Sequence, residues 1–270
     1  MNAKLPAQSV THFTQAMNNL SLQNSLSKVP EVTLIFWIIK VAATTLGETG
    51  GDAVSMSMHL GYLVGTAIFA AIFAVAVFAQ IRAKGFHPVL YWVTIIATTT
   101  VGTTLADFAD RSLGIGYAGG ATMLFVMLIA SLALWRKVLG SVSVASVSTP
   151  KAEAFYWATI MFSQTLGTAL GDWTADSAGL GYSGGALVFG ALLALVLAAW
   201  FWTHISRTAL FWAAFILTRP LGAVVGDFLD KPHNAGGLAL SRYSASAAIV
   251  GIIVFFIFVF PQRAAKASAH

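Results

Sequence analysis

The 270-residue chain contains no cysteine. That one absence removes disulfides, thiolate metal sites and cysteine nucleophiles together. Charge is nearly as scarce: 9% of the residues are Asp, Glu, Lys or Arg, against about 25% in an ordinary soluble domain. Only 7 prolines interrupt a chain that is 57% hydrophobic, so long apolar runs survive and an integral membrane protein is expected. The formal net charge is +5, but the basic residues are scattered over short connecting segments and form no patch. This excludes a nucleic-acid surface and leaves their placement as topological information.

Residues 1–28 are polar and lack the apolar core of a signal peptide. Val10, Phe13, Met17 and Leu20 share one helical face there, as in a short amphipathic helix. Eight apolar stretches follow, near 34–55, 61–82, 89–109, 116–136, 154–174, 181–203, 208–228 and 243–260. Each is long enough to cross about 30 Å of hydrocarbon as a helix.

One frame recurs through these stretches. Trp37, Gly47 and Asp52 have counterparts at Trp92, Gly102 and Asp107, at Trp157, Gly167 and Asp172, and at Trp212, Gly222 and Asp227. In every copy the Trp precedes the Gly by ten residues and the Gly precedes the Asp by five. Such a period is the mark of repeated structural units. The expected fold is therefore all-α: an integral membrane bundle of eight transmembrane helices built from four parallel helical-hairpin repeats. Tyr62, Tyr117 and Tyr182 each follow the motif Asp by ten residues, whereas Tyr243 follows Asp227 by sixteen, so the loop with Lys231-Pro232-His233-Asn234 is a six-residue insertion.

The domain division is a cytoplasmic N-terminal segment (1–28), repeats 1 and 2 (29–140), a Ser/Val-rich linker (141–150), repeats 3 and 4 (151–262) and a cytoplasmic tail (263–270). Most Lys and Arg lie beside the termini or in the even-to-odd loops; only Arg111, Lys231 and Arg242 lie in the opposite set. Positive-inside reasoning then places both termini in the cytoplasm.

Eight of the ten acidic residues belong to the repeated segment. Because residues four apart share a helical face, each odd helix carries one polar stripe. The stripes are Lys40, Thr44, Glu48 and Asp52; Thr99, Thr103, Asp107 and Asp110; Gln164, Thr168, Asp172 and Asp176; and Arg219, Ala223, Asp227 and Asp230. A carboxylate facing lipid costs several kcal/mol, so the stripes are expected to face one another. The motif glycines lie off the stripes and allow neighbouring backbones to approach. The Trp residues at the helix starts read as interfacial anchors.

Carboxylates and threonine hydroxyls are hard oxygen donors. Glu48, Asp52, Asp107, Asp172, Asp227, Thr44, Thr103 and Thr168 are accordingly the candidate ligands of Mn²⁺, with Mg²⁺, Ca²⁺ or Na⁺ as alternatives. His59, with Met56 or Met58, would tilt the preference toward Mn²⁺. Lys40 and Arg219 are expected to balance charge, and Asp110, Asp176 and Asp230 to form an outer acidic ring.

At residues 28–52, KVPEVTLIFWIIKVAATTLGETGGD, with LGY at 60–62, the sequence resembles a family of largely uncharacterised bacterial multi-spanning membrane proteins with repeated FW…TTxGE…D segments. The resemblance covers residues 28–260 and implies a bacterial inner-membrane location. A looser chemical likeness is to acidic-motif Mn²⁺ and Ca²⁺ exchangers, from whose motif this chain departs in the spacing of Glu48 and Asp52 and in its parallel repeats.

The functional expectation is a non-enzymatic transporter, an exporter of Mn²⁺ or another hard divalent cation by proton exchange. Clustered carboxylates do not all ionise together, so protons compete for them. No cofactor is expected; the partners are the lipid bilayer, the inorganic cation and a further copy of the chain in a homo-oligomer. The rivals are a membrane scaffold or sensor with a structural polar network, and an intramembrane aspartic hydrolase using two acids.

Overall fold

The computed structural model describes residues 27–266, so the amphipathic segment read at residues 10–20 lies outside the described residues. Among the described residues eight α-helices follow one another: α1 (Leu34–Asp52), α2 (Gly61–Arg82), α3 (Pro88–Asp107), α4 (Tyr117–Leu139), α5 (Pro150–Asp172), α6 (Gly181–Trp202), α7 (Arg207–Asp230) and α8 (Arg242–Val259). Local chemistry sets several of the starts. Thr33 and Thr149 cap α1 and α5 through their hydroxyls, and Pro88 and Pro150 occupy first-turn positions, where a missing N–H costs nothing.

Six of the eight are long and apolar enough to cross a membrane, and the two that fall short are α1 and α5. These two carry Lys40, Glu48 and Asp52, or Gln164, Thr168 and Asp172, on faces the bundle buries. Their polarity is turned inward.

The odd helices form a closed ring in which α1 packs on α3, α3 on α5, α5 on α7 and α7 on α1. The even helices form an outer layer, but each rests on the next unit. Thus α2 lies on α3, α4 on α5, α6 on α7 and α8 on α1, while the two helices of a unit make only marginal contact. Exposure follows this division: the outer helices bury little beyond one narrow face and the inner ones bury half or more of their residues.

Two cyclic sets of contacts hold the ring. A methyl added at Gly47 would overlap Thr99, at Gly102 the Gln164 backbone, at Gly167 Arg219, and at Gly222 Thr44. Each motif glycine therefore receives the stripe residue of the next unit, and the fourth receives that of the first. The expected consequence is that Gly222→Ala costs about 1–3 kcal/mol by overpacking, read as a lower thermal midpoint in detergent. Gly251→Ala, which meets nothing within 4 Å, should leave that midpoint unchanged.

The second cyclic set is aromatic. Phe36 meets Trp92 at 5.4 Å between ring centroids, Tyr91 meets Trp157 at 5.8 Å, Tyr156 meets Trp212 at 6.3 Å and Phe211 meets Trp37 at 5.8 Å. This corrects the reading of the Trp residues as interfacial anchors. Trp92, Trp157 and Trp212 are buried and Trp37 is half-buried, because ring closure turns the helix starts toward one another. The hydroxyls of Tyr91 and Tyr156 meet at 2.6 Å between α3 and α5.

The segment 141–150 is also more than a spacer. Val147 is fully buried against this aromatic cluster, and the Val142 carbonyl accepts the Trp212 Nε1–H at 2.9 Å. Ser27 donates to the Val144 carbonyl at 2.6 Å, and Lys28 pairs with Glu153 at 2.6 Å. Residues 27 and 28 are thereby tied to the segment between the second and third units.

Candidate functional site

Because the stripes recur every four residues on four parallel helices, they stack as layers above the aromatic one. The lowest holds Lys40, Ile95, Ile160 and Phe215, the next Thr44, Thr99, Gln164 and Arg219, then Glu48, Thr103, Thr168 and Ala223, then Asp52, Asp107, Asp172 and Asp227. All sixteen of these side chains are buried or nearly so. The sequence expectation that the stripes converge is met.

What converges with them is a set of resident cations. Arg219 is fully buried and reaches from α7 across the ring. Its Nη2 lies 3.0 Å from Glu48 Oε2 and 2.5 Å from both Thr103 Oγ1 and Thr168 Oγ1, sharing its two hydrogens among one group from each of the other three units. Ala223 is the fourth member of that layer, and its small side chain leaves room for the guanidinium. Three of the candidate ligands thus surround a nitrogen of the protein itself.

The aspartate layer is bridged in two places. Arg111 lies 3.0 Å from Asp107 and 3.4 Å from Asp172, and Lys231 lies 2.6 Å from Asp52 and 3.0 Å from Asp227. Each cation sits four residues after its own unit's Asp and reaches the Asp of the following unit. The cations come from units 2 and 4, whereas the equivalent positions of units 1 and 3 hold Met56 and Asp176. A fourfold ring of helices therefore carries a twofold arrangement of charge. Burial opposes the charge on Lys231, but the carboxylates of Asp227, Asp52 and Asp230 outweigh it, and its pKa is held above the ordinary lysine value.

These two cations were legible in the sequence only as loop charges. The signal that identifies them is the four-residue spacing from the motif Asp, which brings each cation back beside its own unit's carboxylate. Arg242, the first residue of α8, adds a third cation, 2.8 Å from Asp230 and 3.6 Å from Asp52.

Other expected residues are placed differently. The Thr44 hydroxyl has its single proton within reach of the Val41 carbonyl at 2.8 Å and the Thr218 carbonyl of α7 at 3.2 Å, so it sits between helices and faces no carboxylate. The outer acids form no ring: Asp230 is buried beside Asp227, Asp110 is half-buried against Gly120, and Asp176 is exposed. His59 and Met58 are exposed turn residues, His59 with φ of 56°, and Met56 is half-buried. Lys40 has no hydrogen-bond partner among the described residues and lies 4.2 Å over the Phe215 ring. Thr99 and both polar atoms of Gln164 are likewise buried without partners there.

Two groups of buried carboxylates are close enough together that they could hold a metal ion. One oxygen each from Glu48, Asp52 and Asp107 lie within 4.8 Å of one another, and the same holds for Asp52, Asp227 and Asp230. Asp52 belongs to both. Asp172 belongs to neither group and is joined to Asp107 through Arg111.

A ring of four repeated helical units with an acidic, cation-bridged centre and an apolar outer layer defines a helical-bundle membrane protein. The chain belongs to the family described as a Repeat of Unknown Function (DUF347), which it matches four times, at residues 35–86, 90–139, 155–206 and 210–264. These boundaries coincide with the four helix pairs. No curated protein and no solved structure matches the chain.

Proposed function

We propose that the protein is a membrane transporter of a hard divalent cation, Mn²⁺ or a similar ion, exchanged for protons at the carboxylates of the ring. The observation that carries this reading is the pair of overlapping three-carboxylate groups sharing Asp52, buried at the centre of the bundle. Hard oxygen donors at this density suit Mn²⁺, Mg²⁺ or Ca²⁺. Charge supports the same conclusion. Glu48, Asp52, Asp107, Asp172, Asp227 and Asp230 face Arg219, Arg111, Lys231 and Arg242, so six carboxylates against four cations leave two formal negative charges when all are ionised. One divalent ion or two protons would neutralise them.

The two ends of the ring differ in a way that suits a carrier. Aromatic side chains fill one end, and at the other the Arg111 side chain is 31% exposed beside the aspartates. The distribution of Lys and Arg supports placing the aromatic end and both termini on the cytoplasmic side of a bacterial plasma membrane. With the acidic end outward, export is the direction we assign.

A structural polar network, in a scaffold or sensor, is the second reading, and it is favoured by the resident cation that each of the six carboxylates already has. An aspartic hydrolase fits less well, because its two acids must share a proton and these pairs are bridged by Lys or Arg. Reconstituted protein in proteoliposomes should show saturable Mn²⁺ flux coupled to an internal pH change, abolished in folded Glu48→Gln and Asp172→Asn variants. Intact protein that moves none of Mn²⁺, Mg²⁺, Ca²⁺ and Na⁺ would leave the structural network as the reading to pursue.

A further inference from the structure

Arg111 and Lys231 bridge equivalent pairs of aspartates, but they are mounted differently. Arg111 lies within a π-helical turn, Phe108–Ser112, that prolongs α3, and similar turns prolong α1 (Ala53–Ser57) and α5 (Trp173–Ser177). Unit 4 has no such turn: α7 runs to Asp230, and Lys231 is the first residue beyond it, followed by Pro232. Proline disfavours a helical conformation in the residue before it, so Lys231 leaves the helix and takes extended backbone, with φ of −70° and ψ of 151°.

The six-residue insertion supplies the rest of the mounting. It folds back on the end of α7, with Leu238 N–H donating to the Phe228 carbonyl at 2.7 Å, Ala239 N–H to the Lys231 carbonyl at 2.9 Å and Leu240 N–H to the Leu229 carbonyl at 2.9 Å. His233 Nδ1 meets the Gly237 carbonyl at 2.9 Å, and Gly237 packs so closely on the Lys231 backbone that a side chain would overlap it. The cations flanking this loop then address one acid, since Lys231 lies 2.6 Å and Arg242 3.6 Å from the same Asp52 oxygen, Oδ2. Asp52 is the residue common to both three-carboxylate groups.

An ammonium 2.6 Å from Asp52 and 3.0 Å from Asp227 takes up oxygens that a metal ion there would coordinate. The two cannot be held together. We infer that Lys231 is a tethered competitor of the transported cation, held by the inserted loop over Asp52 and Asp227 and required to withdraw before the ion binds. This rests on the cation reading above, and it makes the insertion the element that sets the affinity of the site. Arg111, built into a helical turn and bonded to Tyr62 at 3.5 Å, is the fixed counterpart.

The absence of cysteine makes the test direct, because Lys231→Cys carries the single thiol of the chain. Mn²⁺ binding to the purified full-length protein would be measured by equilibrium dialysis for wild type, Lys231→Ala, Lys231→Cys, and Lys231→Cys treated with 2-aminoethyl methanethiosulfonate. Removing a competitor that occupies the site most of the time should tighten binding about ten-fold or more, and restoring the ammonium should return it toward the wild-type value. Mn²⁺ should also slow labelling of the Lys231→Cys thiol. Should the single variants fail to fold, Lys231→Gln with Asp227→Asn, set against Asp227→Asn alone, asks the same question with one negative charge fewer. Folded variants that bind Mn²⁺ no tighter than their references would overturn the tethered competitor while leaving the cation reading in place. No Mn²⁺ binding by wild type or any variant would remove both.

Discussion

Replacing Arg219 by methionine should cost the folded bundle more than any other single change in the ring, and adding Glu48→Gln should restore much of the loss. The Arg219 guanidinium is fully buried and bonds one residue from each of the other three units. Without it Glu48 stays buried, 3% exposed, with its resident counter-ion gone. Breaking one partner of such a pair costs about 3–5 kcal/mol, a large share of the roughly 5–15 kcal/mol by which folded proteins are stable. The glutamine removes the orphaned charge while keeping its shape. Thermal midpoints and monodispersity in detergent would be compared for the single and double variants. An Arg219→Met protein as stable as wild type would show that the guanidinium does not hold the ring.

Asp52→Asn should weaken Mn²⁺ binding more than any other substitution of one carboxylate. Asp52 is shared by the two three-carboxylate groups and receives both Lys231 and Arg242, so its charge is counted in every arrangement the site can adopt. Charge-assisted contacts contribute about 1.5–3 kcal/mol, which corresponds to roughly 10–100-fold in affinity. Asp176→Asn, at an exposed position, and Asp110→Asn, half-buried away from both groups, should bind as wild type does. Equal losses at Asp52, Asp110 and Asp176 in dialysis would mean that bulk negative charge, and not a site, attracts the ion.

The sequence shows the layered centre clearly, because a four-residue spacing on a helix has one geometric meaning and four copies in register repeat it. Glu48, Thr103 and Thr168 converge as their spacing demands. The identity of what they surround was hidden, since nothing in the spacing says that Arg219 extends one layer upward through the gap left by Ala223. Arg111 and Lys231 were visible as charges, but short apolar loops invite a topological reading of every Lys and Arg, and the pairing emerges only when the following unit is brought alongside. The Trp residues misled for a related reason. A tryptophan at a helix start has the same sequence context whether its ring meets headgroups or, as with Trp92 and Trp157, the aromatic side chain of a neighbouring unit.

The offset between covering and covered helices also bears on how the molecule can be made. Because α4 rests on α5 and α8 rests on α1, a ribosome that has released only the first four helices has produced a piece with one cover in surplus and one missing. The second half has the reciprocal surplus and deficit. Ser246 of α8 donates to Thr49 of α1 at 2.9 Å, and the residues made after it also reach back to the start of the first unit, the Ala265 N–H donating to the Val29 carbonyl at 2.9 Å. Two half-chains divided in the segment 141–147 would therefore each lend the other a helix, and neither could finish its own wall alone.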